Sequence, residues 1–296
     1  MKTLKQPTKI ILLFMLMGSF IVSANETNNR RLIENVGFLT PESVEYNSHE
    51  DVYLVTNING HPLAKDGNGF ISKLSPDGKV IELKWLDGAK PGTTLHAPKG
   101  ASIINNLLYV TDINQIQIFS LPDGQQKKSI TIAGSTFLNG ITPGQGDFVY
   151  VTDSGLNAAF KPTGTDAIYK VWGNGRYELV VKDEKMGAPN GLWDNGNGLQ
   201  VVTFNSGRMI HITPSGKQKI LPTPPRGGLD GLVKLDDGRF LFSSWGGSAI
   251  YALNEDNTYS LFADALDAPA DLGVDSKRNR LLIPLFKQNA VVYLPF

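Results

Sequence analysis

The chain has 296 residues, with 28 basic and 28 acidic side chains and no cysteine. This balance, without a basic run, argues against nucleic acid as a partner. The length is ample for one large domain that is stabilised by core burial, since disulfides are excluded.

The first 24 residues have the pattern of a secretory signal peptide. Lys2, Lys5 and Lys9 precede an apolar run over residues 10–22, and small residues lead to a plausible cleavage point after Ala24. A buried N-terminal helix is the alternative, but it does not account for the lysines. We therefore expect a signal peptide over residues 1–24 and a mature chain over residues 25–296, periplasmic or secreted.

The mature chain is expected to be independent of membranes. Removing the three lysines of the signal leaves 25 basic against 28 acidic residues, and no second apolar segment is long enough to span a bilayer. We expect a monomer whose partner is a small-molecule substrate.

A unit of four short strands repeats along the chain. Its clearest copy has apolar runs at residues 190–193, 199–203, 209–213 and 219–221, separated by Asn/Gly and Pro/Gly turns. Six copies follow one another at spacings of 40 to 57 residues, and they open at Thr40, Ala97, Phe137, Ala188, Gly228 and Ala268. Four-stranded units at this period are typical of β-propeller blades.

The sixth copy ends after its third strand, at Phe296. Residues 31–36 resemble the outer strands of the other copies and precede the first blade, so they can supply the missing strand. The sequence therefore predicts an all-β protein with one domain, a six-bladed β-propeller whose last blade is closed by the N-terminal strand.

Two insertions lengthen the repeat, at residues 57–69 and 154–165. Both follow the second strand of their blade, so both are expected on the same face of the propeller. Loops of this length commonly act as lids or binding loops. We expect them to rim one mouth of the axial channel.

One position of the repeat carries mostly polar residues. In blade order these residues are Glu42, Lys99, Asn139, Asn190, Asp230 and Ala270. Equivalent positions at the start of the innermost strands face the channel, so two carboxylates and two carboxamides are predicted to converge. Such oxygen donors suit a hard cation such as Ca²⁺. The alternative is that these residues only form turns that lead into each strand.

The sequence resembles the gluconolactonase, senescence-marker-protein (regucalcin) and paraoxonase-like six-bladed propellers over about residues 31–296. The resemblance is carried by four motifs in order, namely Pro41-Glu42, Asn139-Gly140, Pro189-Asn190-Gly191-Leu192 and Asp230-Gly231. It implies that Glu42, Asn190 and Asp230 bind a divalent metal and that Asn139 is an accessory ligand. It also implies hydrolysis of lactones or related esters.

The implied cofactor is one divalent cation, Ca²⁺, with Zn²⁺ or Mn²⁺ as alternatives. Asp230 is the candidate catalytic residue, because a carboxylate beside the reacting centre can take a proton from water. No Gly-X-Ser-X-Gly elbow supplies a serine nucleophile. Asn139, Lys99 and His96 are the candidate substrate-binding residues.

One departure from the family bears on the substrate. Sugar-lactone members place an arginine just before the third-blade asparagine, whereas Phe137 and Leu138 stand there in this chain. A less polar substrate is therefore plausible.

Two other functions fit the same architecture. A non-catalytic propeller would bind a ligand or partner protein on the loop face and use its metal structurally. A strictosidine-synthase-like propeller would catalyse condensation without needing Glu42.

Overall fold

The computed structural model describes Met1 and residues 30–296, so the predicted signal peptide apart from Met1 lies outside the described residues. Over this range the chain forms 24 strands and no helix. It begins with β1 (Arg31–Ile33) and then builds six four-stranded antiparallel sheets. The predicted all-β propeller with six blades is confirmed.

The first three complete blades run from residue 41 to residue 182. Blade 1 comprises β2 (Pro41–Asn47), β3 (Val52–Asn57), β4 (Phe70–Leu74) and β5 (Val80–Asp87). Blade 2 comprises β6 (Pro98–Ile104), β7 (Leu107–Asp112), β8 (Gln115–Ser120) and β9 (Gln126–Thr131). Blade 3 comprises β10 (Leu138–Pro143), β11 (Phe148–Asp153), β12 (Ala167–Trp172) and β13 (Tyr177–Lys182).

The remaining blades have shorter strands. Blade 4 comprises β14 (Pro189–Asp194), β15 (Leu199–Thr203), β16 (Met209–Ile212) and β17 (Gln218–Ile220). Blade 5 comprises β18 (Leu229–Lys234), β19 (Phe240–Ser244), β20 (Ala249–Leu253) and β21 (Tyr259–Ala263). Blade 6 contains β22 (Gly273–Asp275), β23 (Arg280–Leu285) and β24 (Ala290–Pro295).

The N-terminal strand completes blade 6. β1 pairs antiparallel with β24, with Arg31 opposite Tyr293 and Ile33 opposite Val291, and the sheet order is β1-β24-β23-β22. The predicted closure is therefore confirmed, although the strand is shorter than residues 31–36. Joining the two ends of the described chain in one sheet closes the ring.

The core lies between the blades. Of the eight clusters of buried apolar side chains in the described part of the chain, six lie one at each interface between neighbouring blades. The cluster between blades 6 and 1, for example, includes Ile33 from the closing strand together with Val44 and Tyr53. A single blade exposes both apolar faces, so each blade is stabilised by its neighbours.

The part of the chain that the structure describes contains no helix with the length and hydropathy needed to cross a bilayer.

Candidate functional site

The innermost strands break their regular pairing where the polar repeat position falls. In blade 4, Pro189 pairs with Thr203 and Leu192 with Val201, so Asn190 and Gly191 lie at a shift in register. The same shift occurs in blades 1, 2, 3 and 5. A bulge of this kind re-aims a side chain. Here it turns one side chain per blade towards the channel.

The glycine that follows the polar residue in blades 2 to 5 allows neighbouring inner strands to approach closely. A Cβ on Gly140 would lie 2.3 Å from the Asn190 carbonyl oxygen, and one on Gly191 would lie 2.5 Å from that of Asp230. Neither glycine has a positive φ, and both lie inside strands. The interpretation of these Asn-Gly pairs as turn residues is therefore wrong.

Hydroxyl groups from the second strand compensate for the broken ladder. The Thr152 Oγ1 accepts the Gly140 N–H at 2.9 Å and donates to the Asn190 carbonyl oxygen of the next blade at 3.0 Å. Thr56 and Ser243 accept the corresponding N–H groups in blades 1 and 5. Blade 4 has no such hydroxyl group, because Thr203 lies directly opposite Pro189 and the residue before it, which is equivalent to Thr152, is Val202.

Five of the six predicted channel residues line one cavity of about 690 Å³ at the axis; they are Glu42, Lys99, Asn139, Asn190 and Asp230. Each is at least nine-tenths buried. The Asn190 Nδ2 donates to the Asp230 Oδ1 at 2.8 Å, so these two groups touch directly. The Asn139 Nδ2 donates to the Ser154 Oγ at 3.1 Å, which leaves the Asn139 carbonyl oxygen for another contact.

Burial and mutual repulsion change how the carboxylates titrate. Burial, reinforced by the charge of Asp271, raises the pKa of Asp230 to about 8, while the nearby indole of Trp245 and the Asn190 amide oppose the shift. Burial and the charges of Asp230 and Asp271 raise the pKa of Glu42 well above its usual value, and Lys99 opposes this rise. Without a cation the site therefore favours a protonated Asp230 at neutral pH, and the pKa of Glu42 is shifted in the same direction.

Comparison of the six repeats did not identify Asp271 as a neighbour of the site. It follows Ala270 in blade 6, at the repeat position that is glycine in blades 2 to 5 and Ser43 in blade 1. Its backbone N–H donates to the Glu42 carbonyl oxygen at 2.9 Å. Burial raises the pKa of its carboxyl group to about 7, although the Ser43 hydroxyl and a hydrogen bond from the Leu272 N–H lower it in part. The sequence feature that could have identified it is an acidic residue at a repeat position where the other five blades have serine or glycine.

Lys99 is almost fully buried, with 1% of its surface exposed. Its Nζ donates to the Ala97 carbonyl oxygen at 3.0 Å and lies 4.7 Å from the centre of the Phe137 ring. Burial lowers the pKa of this lysine to about 8, and the negative charges of Asp112 and Glu42 oppose the shift.

His96 does not line the cavity, contrary to its predicted role in substrate binding. Its Nδ1 accepts the Gly67 N–H at 3.0 Å, and its backbone N–H donates to the Asp112 Oδ2 at 2.9 Å. The first contact joins His96 to the first insertion, and the second joins it to the end of β7. The histidine that does line the cavity is His61.

The two insertions meet above the cavity, as their positions in the repeat predicted. The His61 Nε2 lies 3.0 Å from the Ala158 carbonyl oxygen, and its ring is centred 5.6 Å from that of Phe160. Residues of both insertions line the mouth. They are therefore positioned to control entry.

The donor set fits a divalent cation. The Glu42 Oε2 and the Asn139 Oδ1 are buried oxygens with no hydrogen-bond partner among the described residues, and both belong to cavity-lining side chains. Such atoms are costly unless a ligand satisfies them. No group of three or more His, Cys, Asp or Glu side chains able to hold a metal occurs in the described part of the chain. The fitting set is thus two carboxylates with two carboxamides.

Comparison with known proteins places the fold. No family model matches the chain, and no curated protein matches it. Among solved structures, it is similar to a gluconolactonase from Xanthomonas campestris, with 15% identity, a TM-score of 0.69, and 90% of this chain and 89% of that chain covered. A calcium-binding regucalcin from Agrobacterium tumefaciens has 13% identity and a TM-score of 0.67, with 90% and 93% covered.

A third similar structure has a different activity. Virginiamycin B lyase from Staphylococcus aureus has 15% identity and a TM-score of 0.62, and the alignment covers 90% of this chain and 99% of that one. The predicted likeness to gluconolactonase and regucalcin propellers is thus confirmed at the level of fold. Because lyases share that fold, the activity must be argued from the site itself.

Proposed function

We propose that the protein is an exported, metal-dependent hydrolase of lactones or related esters. The observation that carries the proposal is the convergence of Glu42, Asn139, Asn190 and Asp230 on one axial cavity, with two of their oxygens buried and unpartnered. Glu42, Asn190 and Asp230 would hold one divalent cation, Ca²⁺ being the ion that suits this oxygen set, and Asn139 would complete it. The similar gluconolactonase and regucalcin folds support this choice.

The bound cation would polarise the substrate carbonyl group. The chain supplies the proton transfer. Asp230 takes a proton from the attacking water, whose oxygen adds to the carbonyl carbon. The ester C–O bond then breaks, and the Asp230 carboxyl group gives its proton to the leaving alkoxide. A bound cation would favour the ionised form of this carboxyl group, which is the form that can accept a proton. The Asn190 amide fixes its orientation through the bond to Oδ1.

Other cavity groups orient the substrate. Asn139 and Lys99 line the cavity and are available to the polar end of the substrate. The two insertions limit the access of water at the mouth, because they touch above it. Export rests on the predicted signal peptide.

The test begins with calorimetric titration of Ca²⁺ into metal-stripped protein of residues 25–296, with Asp230→Ala alongside. We expect one-site binding that the substitution abolishes, and then lactone hydrolysis that requires the metal and disappears in Asp230→Asn with the fold intact by circular dichroism. Zn²⁺ and Mn²⁺ are titrated in the same way.

The outcomes separate the alternatives. Failure of every divalent ion to bind folded protein would refute the metal site. Metal binding with background turnover would favour the non-catalytic propeller. Turnover that persists in Glu42→Gln would favour the condensation-type propeller.

A further inference from the structure

A second ring of equivalent residues lies at the mouth. In five blades the residue immediately after the second strand donates its backbone N–H to the carbonyl oxygen of a residue that precedes the inner strand. In blade 2 the Ile113 carbonyl oxygen instead accepts the Leu138 N–H of blade 3. In blade order these residues are Ile58, Ile113, Ser154, Phe204, Trp245 and Phe286. All but Ile113 line the cavity. Polar side chains therefore form one level of the channel, and mostly apolar side chains form the next.

Three blades contribute a continuous aromatic wall, formed by Phe204, Trp245 and Phe286. The ring centres of Phe204 and Trp245 lie 5.3 Å apart, and those of Trp245 and Phe286 lie 5.0 Å apart. Each of the three side chains is only partly buried and so keeps surface for a ligand. Contacts at this distance hold the rings in place before a ligand binds.

The apolar lining continues from Phe204 into blade 3. Phe137 and Leu156 line the cavity from blade 3, and Phe160 of the second insertion lies 6.5 Å from Phe137 between ring centres. Phe160 is 52% exposed although it is a large apolar side chain. Exposed aromatic groups around a concave surface indicate a binding site for apolar ligands.

A polar atom marks where this wall meets the polar level. The Trp245 Nε1 is buried and has no partner within hydrogen-bond distance among the described residues. An indole N–H can only donate. It therefore offers one donor to an oxygen of a ligand whose remaining bulk packs on the aromatic rings.

From these observations we infer that the substrate carries a large apolar substituent, an alkyl chain or an aryl ring, next to its lactone or ester group. This inference rests on the proposed hydrolase function and specifies its substrate class. The substituent packs on the Phe204–Trp245–Phe286 wall while the carbonyl group reaches the polar level. A polyhydroxylated sugar lactone would bury hydroxyl groups against rings that cannot bond them, which is unfavourable.

The experiment uses δ-lactones that carry alkyl chains from methyl to heptyl, with glucono-δ-lactone as the polar comparison. Hydrolysis is measured with the divalent ion present. We expect kcat/KM to rise about fourfold for each added methylene, since each buried methylene contributes roughly 0.8 kcal/mol. Phe204→Ala should flatten this dependence, whereas Trp172→Ala, an aromatic substitution that does not touch the cavity, should leave it unchanged.

Binding is measured separately, so that failure of the hydrolase proposal can be recognised. The probe is a heptyl-substituted δ-lactam, which keeps the carbonyl group but resists hydrolysis, titrated by calorimetry into the wild type and both variants. Chain-dependent lactam binding that weakens in Phe204→Ala, without hydrolysis of any lactone, would refute the hydrolase and support the apolar site.

Two results would overturn the inference. One is hydrolysis of glucono-δ-lactone as efficient as that of the heptyl lactone, which would leave the hydrolase function standing. The other is lactam binding that is absent or independent of chain length.

Discussion

Replacing Asp230 by asparagine should stabilise the metal-free protein and remove its response to metal. Burial and Asp271 raise the pKa of Asp230 to about 8, compared with about 4 in an unfolded chain. Between these values the folded protein holds a proton that the unfolded chain has released. The contribution of Asp230 to stability is therefore greatest at low pH and is lost as the pH rises through about 8.

The magnitude follows from the shift. One pKa unit corresponds to about 1.4 kcal/mol, so the stability advantage of Asp230→Asn over the wild type should grow by up to about 1.4 kcal/mol for each pH unit. Between pH 5.5 and 7.5 the growth reaches up to about 3 kcal/mol. Asparagine can keep the contact from the Asn190 Nδ2, because its side-chain oxygen can replace the Asp230 Oδ1. The substitution thus removes charge rather than packing.

The assay is denaturant unfolding of both proteins at several pH values, with chelator and then with Ca²⁺. At a hundredfold excess over its Kd the ion should stabilise the wild type by about 2.7 kcal/mol and leave Asp230→Asn unchanged. The exposed Asp236→Asn substitution is the matched control and should follow the wild type. A stability difference that does not change with pH, or equal stabilisation of both proteins by Ca²⁺, would refute the reasoning.

Three further substitutions test the fold and the mouth. Gly191→Ala should cost about 1–3 kcal/mol of stability, because its Cβ would press on the backbone of the next blade. Gly227→Ala has room for a Cβ and should be neutral. Equal urea midpoints for the two variants would contradict this. Ile33→Ala should cost about 2–5 kcal/mol through the closing strand, whereas its exposed neighbour Leu32→Ala should stay within about 0.5 kcal/mol. Equal midpoints of thermal unfolding for the two variants would show that the closing strand contributes little. His61→Ala should loosen the contact between the two insertions, so limited proteolysis should cut residues 154–165 faster than in the wild type. An unchanged rate of cleavage would show that His61 does not hold the second insertion in place.

Regular features of the fold could be predicted because each of them occurs in the sequence of all six repeats or can be inferred from the other copies. β15 occupies the predicted residues 199–203, and the closing strand was found because the sixth copy lacks a fourth strand. The polar level could be predicted for the same reason, since equivalent residues of a ring face one axis. His96 was misplaced because its position in sequence, near Lys99, does not determine the direction of its side chain.

The number of blades, the closure of the ring and the set of polar residues on its axis can be predicted from the amino-acid sequence, because repetition turns each local pattern into a statement about symmetry. The folded chain is needed to show how deeply those residues are buried, which of their oxygens have no partner among the described residues, and that Asp271 lies beside them. Burial and charge coupling depend on distances between blades. Those distances are set by bulges and by glycines in contact with a neighbouring blade, which no single repeat contains.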